Sequence, residues 1–168
     1  MIKTAFCFDL DGTVTRQEIL PLISRQVDLY DEISTLTYAT MQGIIPFEHS
    51  FKLRVKLLDD VPISNVKAIV SNVVLNMHLV DFIRKNSDNC FIITGNLDVW
   101  VDGLIEAIGC SYYSSIASFD GDELLGIENI IDKGCAVGSL RKNFDRIVAV
   151  GDGMNDVAMF EQSDIKVA

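Results

Sequence analysis

Short and almost continuous runs of apolar residues recur along the chain, and each one ends at a turn that contains glycine. The three clearest runs cover residues 4–8, 90–94 and 146–150. Apolar runs of this length are typical of strands that are buried on both faces of a parallel sheet. Segments with helical spacing lie between or after them, at residues 79–83, 99–108 and 154–160. This alternation predicts an α/β fold with a Rossmann-like, doubly wound parallel sheet.

Four further helices are predicted between residues 14 and 76, where the alternation of strand and helix is absent. Their apolar spacing covers residues 18–29, 31–41, 46–58 and 62–75. Pro46 and Pro62 suit first-turn positions of a helix, and Gly43 suits a helix end.

This helical stretch has two interpretations. The four helices could pack on the sheet itself, or they could form a small subdomain inserted directly after the first strand. The insertion is favoured, because so many consecutive helices cannot all be single crossovers between strands. It predicts a discontinuous core of residues 1–13 and 77–168, with a helical cap at residues 14–76.

The second half of the chain holds two smaller features. Asp120-Gly121 lies between β-like stretches within residues 111–131 and predicts a hairpin turn without chemistry of its own. Residues 165–168 have the pattern of the start of another strand. A doubly wound domain normally continues with at least one more helix, so the sequence leaves open that the native chain extends past Ala168.

The composition fits one domain of ordinary size and narrows the partners. Hydrophobic residues make up 49% of the 168 residues, which is enough for a sizeable core. The formal net charge of −10 argues against nucleic acid or an anionic membrane surface as a partner, because both need clustered Lys and Arg. A small anionic substrate is still allowed, since a local cation can dominate inside a cleft. The oligomeric state is not predicted.

The sequence shows no signal for export, for membrane insertion or for metal binding by cysteine. Residues 1–4 run directly into a strand pattern, so no signal peptide is expected. No apolar stretch approaches the roughly 18 residues that span a bilayer, and a cytoplasmic protein is predicted. The four cysteines are too widely separated for a CxxC zinc site. Two of them, Cys7 and Cys90, lie in apolar runs and are interpreted as core residues.

Candidate chemistry lies in three loops, each directly after one of the three clearest strands. Their sequences are Asp9-Leu10-Asp11-Gly12-Thr13, Thr94-Gly95-Asn96 and Gly151-Asp152-Gly153-Met154-Asn155-Asp156. Because the carboxyl ends of parallel strands lie along one rim of the sheet, the three loops are expected to meet in one pocket.

That pocket would hold four carboxylates, those of Asp9, Asp11, Asp152 and Asp156. So many acids in one place are costly without a cation, and oxygen ligands together with several waters are what Mg²⁺ prefers. Asp9 and Asp152 could each contribute one oxygen, and backbone carbonyls could complete the shell. Read alone, each of these loops is also compatible with an ordinary polar turn.

Two further features could contact a phosphate. Thr94-Gly95-Asn96 supplies a hydroxyl, a glycine that permits close approach of the backbone, and an expected helix start, whose N–H groups bind phosphate. Lys133 could place one fixed cation on the same phosphate, although a lone lysine is more often a solvated surface residue.

Taken in order, these motifs resemble those of the haloacid dehalogenase (HAD) superfamily of phosphatases with an aspartate nucleophile. Residues 9–14 match its first motif, DxDGT[VT], and Thr94 matches the second. Lys133 matches the third motif, and residues 151–156 match the fourth, GDGxND. The resemblance spans nearly the whole chain.

The resemblance implies a mechanism with covalent catalysis. Asp9 attacks phosphorus and becomes an aspartyl phosphate, while Asp11 protonates the leaving alkoxide and then activates water. The implied catalytic residues are Asp9, Asp11, Thr94 and Lys133. The implied Mg²⁺ ligands are Asp9, Asp11 and Asp152. Asp156 is expected to orient Lys133 or a metal-bound water.

The predicted cap resembles that of the phosphoserine phosphatase branch of the superfamily. The branch's cap residues fall at the same spacing here, and together with the loops they give an implied substrate-binding set: Glu18, Met41, Phe47, Arg54, Gly95, Asn96 and Asn155. Glu18 can pair with a substrate ammonium, and Arg54 can bind a carboxylate in a bidentate manner. Met41 and Phe47 would close an apolar wall. Read alone, the charged pair could equally be surface residues and the apolar pair core residues.

Two positions depart from the branch. Its first motif usually reads DxDST, where this chain has Gly12 in place of serine, and its second often reads Ser-Gly-Gly, where this chain has Thr94-Gly95-Asn96. Threonine keeps the hydroxyl, and Asn96 adds bulk and hydrogen-bonding capacity beside the non-phosphate end of the substrate. The expected activity is Mg²⁺-dependent hydrolysis of a small phosphorylated metabolite, with O-phosphoserine as the best substrate. The alternatives are another metabolite phosphatase, a phosphotransferase to an alcohol, and a catalytically idle binding module.

Overall fold

A six-stranded sheet forms the centre of the molecule. The computed structural model describes residues 2–168, so the predicted start of the core at residue 1 lies outside the described residues. The strands are β1 Thr4–Phe8, β2 Cys90–Leu97, β3 Ser111–Asp120, β4 Glu123–Asn129, β5 Arg146–Val150 and β6 Ile165–Val167. Their order is β4-β3-β2-β1-β5-β6, and every pair is parallel except the β3–β4 hairpin. The predicted α/β fold is therefore confirmed.

Helices precede or follow most strands. They are α1 Ile19–Ser24, α2 Tyr30–Met41, α3 Phe47–Leu58, α4 Ile63–Val70, α5 Met77–Lys85, α6 Asp98–Ile108, α7 Lys133–Ser139 and α8 Val157–Glu161. Within residues 2–168, no helix has both the length and the apolar character needed to cross a membrane.

The continuous apolar sequence of β1 follows from burial of both its faces. Ala5 and Cys7 pack into one hydrophobic cluster together with Val137 of α7, whereas Phe8 packs into a second, larger cluster on the other face with Ile83 of α5. Successive side chains of a strand point to opposite faces, so a central strand of a covered sheet has no position for a polar residue. After Thr4 at its start, the next polar residue comes only where β1 ends, which places Asp9 at the rim of the sheet.

The winding of the chain creates a crevice beside β1. From β1 the sheet grows through β2 and β3 to one side, and β5 and β6 are then added on the other side. In open α/β sheets, ligands bind outside the carboxyl ends of the strands at the point where the winding reverses. The loops after β1 and β5 meet at that point.

The structure corrects the predicted start of the helix after β2. The strand continues to Leu97 and α6 begins only at Asp98, so Thr94-Gly95-Asn96 ends a strand and does not begin a helix. The register of β2 with β3 shifts between Ile93 and Leu97, which lets the strand continue through Gly95. The prediction that this segment offers helix N–H groups to a phosphate was therefore wrong.

The helices between β1 and β2 are present, with bounds that differ at several ends. The predicted helix over residues 18–29 is shortened to α1 and a 3₁₀ turn, because Asp28 has a left-handed φ of 56°. The predicted helix over residues 62–75 ends at Val70. Pro46 and Pro62 stand immediately before the first residue of α3 and α4 instead of inside the first turn.

These helices cover the loops at the sheet rim. The helix α2 contacts the turn at residues 154–156, α3 contacts β4, and α4 packs against α6. The side chain of Phe51 in α3 is fully buried in the same hydrophobic cluster as Phe8, and burial of a phenylalanine contributes about 1.5–3 kcal/mol. The helices therefore pack next to the carboxyl-end rim of the sheet, where the acidic loops lie.

Candidate active site

The loop after β1 places two carboxylates at the rim of the sheet. The backbone N–H of Asp9 donates to the carbonyl of Val150 at 2.9 Å, which ties the end of β1 to β5. The Asp9 side chain is 2% exposed, and its Oδ1 accepts the N–H of Leu10 at 2.8 Å. The chain then reverses at Gly12, which has a left-handed φ of +70°.

Gly12 has a geometric role that the sequence did not reveal. Besides its left-handed φ, a Cβ at this position would collide with the carboxylate of Asp152. The absence of a side chain therefore lets the loop after β5 approach the loop after β1. In this arrangement a serine at position 12 would displace the Asp152 carboxylate.

Lys133 is buried and bridges two of the carboxylates. It is the first residue of α7, a helix that Asp132 caps by accepting the N–H of Cys135 at 2.8 Å. The Lys133 Nζ donates to Asp9 Oδ1 and to Asp156 Oδ1, both at 2.7 Å. Burial acts to lower the pKa of Lys133, but its two carboxylate partners raise it above its ordinary value. The alternative of a solvated surface lysine is therefore wrong.

Asp156 organises the loop after β5. While its Oδ1 binds Lys133, its Oδ2 accepts the backbone N–H of Asp152 at 3.0 Å and that of Gly153 at 3.2 Å. A Cβ at Gly151 would collide with the Asp156 carboxylate, so glycine is needed for this close approach. One fully buried carboxylate thus fixes both the lysine and the backbone that presents Asp152.

Three carboxylates form a cluster that fits a hard cation. Oxygens of Asp9, Asp152 and Asp156 all lie within 4.8 Å of one another. Burial raises the pKa of Asp9 to about 7 even though Lys133 opposes the shift, and burial followed by the nearby carboxylates raises the pKa of Asp152. The cluster brings three carboxylates together with one ammonium, that of Lys133, so negative charge is in excess. An all-oxygen donor set with this excess charge suits a divalent cation.

The pKa shifts of Asp9 and Lys133 favour different charge states for the pair that these two side chains form. The raised pKa of Asp9 favours a neutral acid, whereas the raised pKa of Lys133 favours a cation that needs an anionic partner. The geometry favours the ion pair, because Asp9 Oδ1 receives two donors, Leu10 N–H and Lys133 Nζ. A cation at the carboxylate cluster would stabilise the Asp9 anion further.

Both oxygens of the Asp11 carboxylate are already hydrogen-bonded. Oδ1 accepts the N–H of Ile19 at the start of α1 at 2.8 Å, and Oδ2 accepts Nδ2 of Asn96 in a short contact. Burial raises the pKa of Asp11, while these two donors oppose the rise. Asp11 does not belong to the three-carboxylate cluster, so its side chain faces the helices and β2 instead of the cluster.

Thr94 and Gly95 lie at the carboxyl end of β2 next to Asp11. The hydroxyl oxygen of the fully buried Thr94 accepts the backbone N–H of Asn96 at 3.2 Å and its side-chain Nδ2 at 3.1 Å. A Cβ at Gly95 would collide with the ring of Phe47. The glycine therefore lets an aromatic side chain from α3 pack directly against the end of the strand.

A cavity joins the helices to the carboxylates of the sheet rim. Its enclosed volume is about 40 Å³, and it opens to solvent. The predicted residues that line it are Asp9, Asp11, Glu18, Met41, Phe47, Arg54, Gly95, Asn96, Asp152 and Asn155. Lys133 and Asp156 lie behind Asp9 and do not line it. Thr37 and Thr40 also line it and were not predicted as site residues; their signal was the helical spacing that puts Thr37 on the same face of α2 as Met41.

Arg54 is a buried cation that has no anionic partner among residues 2–168. Its side chain is 4% exposed, and it donates from Nη1 to Thr37 Oγ1 at 2.9 Å and from Nε to the carbonyl of Ser50 at 3.3 Å. Among residues 2–168, no carboxylate lies within ion-pair distance of it. Because a buried charge is costly unless it is paired, the cavity is suited to a ligand that brings an anionic group to Arg54.

Glu18 is an acidic residue that lines the same cavity as Arg54. It is half-buried, and burial, followed by repulsion from Asp11, Asp9 and Asp152, raises its pKa to about 9, with Arg54 opposing. A cationic group placed beside Glu18 would relieve this repulsion. The cavity thus offers a guanidinium and a carboxyl group to the part of a ligand that faces the helices.

Comparisons with known proteins agree with this arrangement. The chain matches the model of haloacid dehalogenase-like hydrolases over residues 6–161. It is 27% identical to the phosphoserine phosphatase of Methanocaldococcus jannaschii, over 99% of this chain and 85% of the relative. It is 25% identical to the phosphoserine phosphatase of Lactococcus lactis subsp. lactis, over 99% and 83%. A solved structure described as a phospho-aspartyl intermediate analogue of phosphoserine phosphatase is similar with a TM-score of 0.87, at 26% identity over 99% of this chain and 86% of that one.

Proposed function

The chain belongs to the haloacid dehalogenase-like hydrolase family, and from this premise we propose that it is a Mg²⁺-dependent phosphatase that hydrolyses O-phosphoserine through an aspartyl phosphate on Asp9. The observation that carries the proposal is one cavity that is lined both by Asp9, which Lys133 holds from behind, and by Arg54, whose guanidinium has no anionic partner among residues 2–168. The names of the relatives support the same substrate.

Asp9 is the nucleophile in this proposal. Its Oδ1 is occupied by Leu10 N–H and by Lys133, whereas no hydrogen bond from residues 2–168 reaches Oδ2. Oδ2 forms a bond to phosphorus while the ester P–O bond breaks, and Asp11 gives a proton to the leaving alkoxide. Asp11 then takes a proton from water, which attacks phosphorus and releases inorganic phosphate and free Asp9.

Positive charge and hydrogen bonds around the phosphoryl group supply most of the catalysis in such a reaction. Lys133 and the Thr94 hydroxyl are proposed to bind its oxygens. Asp9 and Asp152 would hold Mg²⁺ with their carboxylates. For Asp11 we propose the main-chain carbonyl as the ligand, because its side chain is assigned to proton transfer and points to Ile19 and Asn96. When bound there, Mg²⁺ neutralises charge on the phosphoryl oxygens. Asp156 keeps Lys133 in place.

The remaining cavity residues are proposed to select the amino-acid part of the substrate. Arg54 binds its carboxylate and Glu18 its ammonium, while Met41, Phe47 and Gly95 form the wall and Asn155 lines the same cavity. We also propose that residues 14–76 act as a cap over a core of residues 1–13 and 77–168, which excludes water once substrate is seated. A cytoplasmic location is part of the same proposal.

A panel of small phosphomonoesters tests the proposal. With Mg²⁺, we expect O-phosphoserine to have the highest kcat/KM, and we expect a chelator to stop the release of phosphate. Phosphoethanolamine and glycerol phosphate are the matched comparisons, because each lacks the carboxylate that Arg54 would bind. Turnover that resists the chelator would contradict the requirement for Mg²⁺. A phosphosugar with a higher kcat/KM than O-phosphoserine would contradict O-phosphoserine as the preferred substrate.

A further inference from the structure

The side chain of Asn96 connects two groups of the proposed reaction that come from different motifs. Its Nδ2 donates to Thr94 Oγ1 at 3.1 Å and, in a short contact, to Asp11 Oδ2. An amide nitrogen carries two hydrogens, so both are used. Asn96 is 2% exposed, and these bonds therefore lie away from bulk water, where they hold their partners firmly.

The contacts of Asn96 leave the Thr94 hydroxyl free to donate its hydrogen. A hydroxyl has two acceptor lone pairs and one hydrogen. The Thr94 oxygen already accepts the backbone N–H and the Nδ2 of Asn96, at 3.2 Å and 3.1 Å. Its hydrogen is thus the group that remains for a further partner, and the phosphoryl oxygen of a substrate is an acceptor.

The same amide fixes the Asp11 carboxyl group from a second direction. Ile19 N–H, at the start of α1, holds Oδ1 at 2.8 Å, and Asn96, at the end of β2, holds Oδ2. The carboxyl group is thereby tied to two different elements of the fold. Loss of the Asn96 contact would leave it free to rotate about its Cβ–Cγ bond.

We propose that Asn96 is a positioning residue that aligns Asp11 with the oxygen that leaves in the first step. The proposal rests on the proposed phosphatase function. In that step the bond from Asp9 to phosphorus forms, the ester P–O bond breaks, and the proton moves from Asp11 to the leaving oxygen. A displacement of the proton donor by about 1 Å can cost about 10²-fold in rate.

A competing role is direct contact between Asn96 and the substrate. The Oδ1 of Asn96 has no hydrogen-bond partner within the part of the chain that the structure describes, and the residue lines the cavity. If Oδ1 received the substrate ammonium, substitution would weaken binding. If Asn96 acts through Asp11, substitution slows proton transfer and leaves binding almost unchanged.

The choice of leaving group separates the positioning role from a structural one, and the Kd of O-phosphoserine separates it from direct contact. Acetate leaves from acetyl phosphate as a stable anion and needs no proton, whereas the serine alkoxide does need one. For Asn96→Ala we expect kcat/KM to fall about 10- to 100-fold with O-phosphoserine and less than about 3-fold with acetyl phosphate. The parameter kcat/KM covers the steps up to the first bond cleavage, so the later attack of water does not enter. In the Asp9→Asn background, which binds without turnover, we expect the Kd of O-phosphoserine to change less than about 2-fold.

Asn96→Ser serves as the second variant, since its hydroxyl is too short to reach Asp11 and its fold can be checked by thermal melting. Equal losses with both substrates would overturn the proposal in favour of a structural role, and a clear increase in Kd would overturn it in favour of direct contact. Failure of the proposed substrate shows separately, in the wild-type protein. If wild type does not hydrolyse O-phosphoserine, the best alkyl phosphate of the panel takes its place in the comparison. If no ester is hydrolysed, both proposals fall.

Discussion

Substitution of Asp9 by asparagine is expected to lower the turnover of O-phosphoserine by more than about 10³-fold, because the reaction loses its nucleophile. Asparagine has nearly the same volume, and its Oδ1 can still accept from Leu10 N–H and Lys133, which hold the native carboxylate at 2.8 Å and 2.7 Å. The fold is therefore expected to persist, and the loss reports on chemistry. Phosphate release with saturating Mg²⁺ measures the effect.

A matched control for this variant is Asp81→Asn. Asp81 is an exposed carboxylate on α5, its side chain makes no hydrogen bond or ion pair among residues 2–168, and its substitution removes the same charge. We expect the control to keep wild-type turnover and both proteins to show cooperative thermal unfolding. Retention of more than about a tenth of the activity in Asp9→Asn would rule out covalent catalysis by this residue.

Substitution of Arg54 by methionine is expected to remove the preference for O-phosphoserine. Methionine keeps most of the side-chain length while it removes the guanidinium, which has no anionic partner among residues 2–168. Loss of a buried, hydrogen-bonded charge pair costs about 2–5 kcal/mol, so kcat/KM for O-phosphoserine should fall about 30-fold or more. With phosphoethanolamine, which has no carboxylate, we expect a change of less than about 3-fold.

The comparison of the two substrates makes this prediction specific. Arg84→Met, on the exposed surface of α5, is the control for loss of a positive charge and should alter neither kcat/KM value. Equal losses of Arg54→Met with both substrates would show that Arg54 supports the fold or the phosphoryl site instead of the substrate carboxylate.

The candidate acidic residues could be predicted from the sequence because each of them lies in a loop that directly follows a strand. Asp9 follows an apolar strand directly, and the rule that parallel strands end at one rim was enough to bring the loop at residues 151–156 to the same place. The strands and helices that apolar spacing predicted are all present in the structure, although several of them begin or end at other residues. Helix ends depend on a few backbone contacts that apolar spacing does not report, as the left-handed φ of Asp28 shows.

Features that depend on contacts between distant residues could not be predicted. Lys133 has the local sequence context of a surface residue, so its role beside Asp156 was expected from the family resemblance alone, and the fold shows its ammonium between Asp9 and Asp156. Asn96 was predicted as a substrate-binding residue and lines the cavity, but the sequence did not indicate that its amide nitrogen binds Asp11, which is 85 positions away. Gly12 was noted as a departure from a motif, whereas its role is steric and concerns Asp152.

The most direct test of the account is to find where the phosphoryl group resides during turnover. The protein is mixed with O-phosphoserine and Mg²⁺, quenched in acid within the first turnover, and digested for mass spectrometry. We predict a phosphoryl adduct on Asp9 that is absent after chelation of the metal and absent in Asp9→Asn. Hydrolysis of O-phosphoserine at the wild-type rate with no adduct on Asp9, or with the adduct on another residue, would contradict the account.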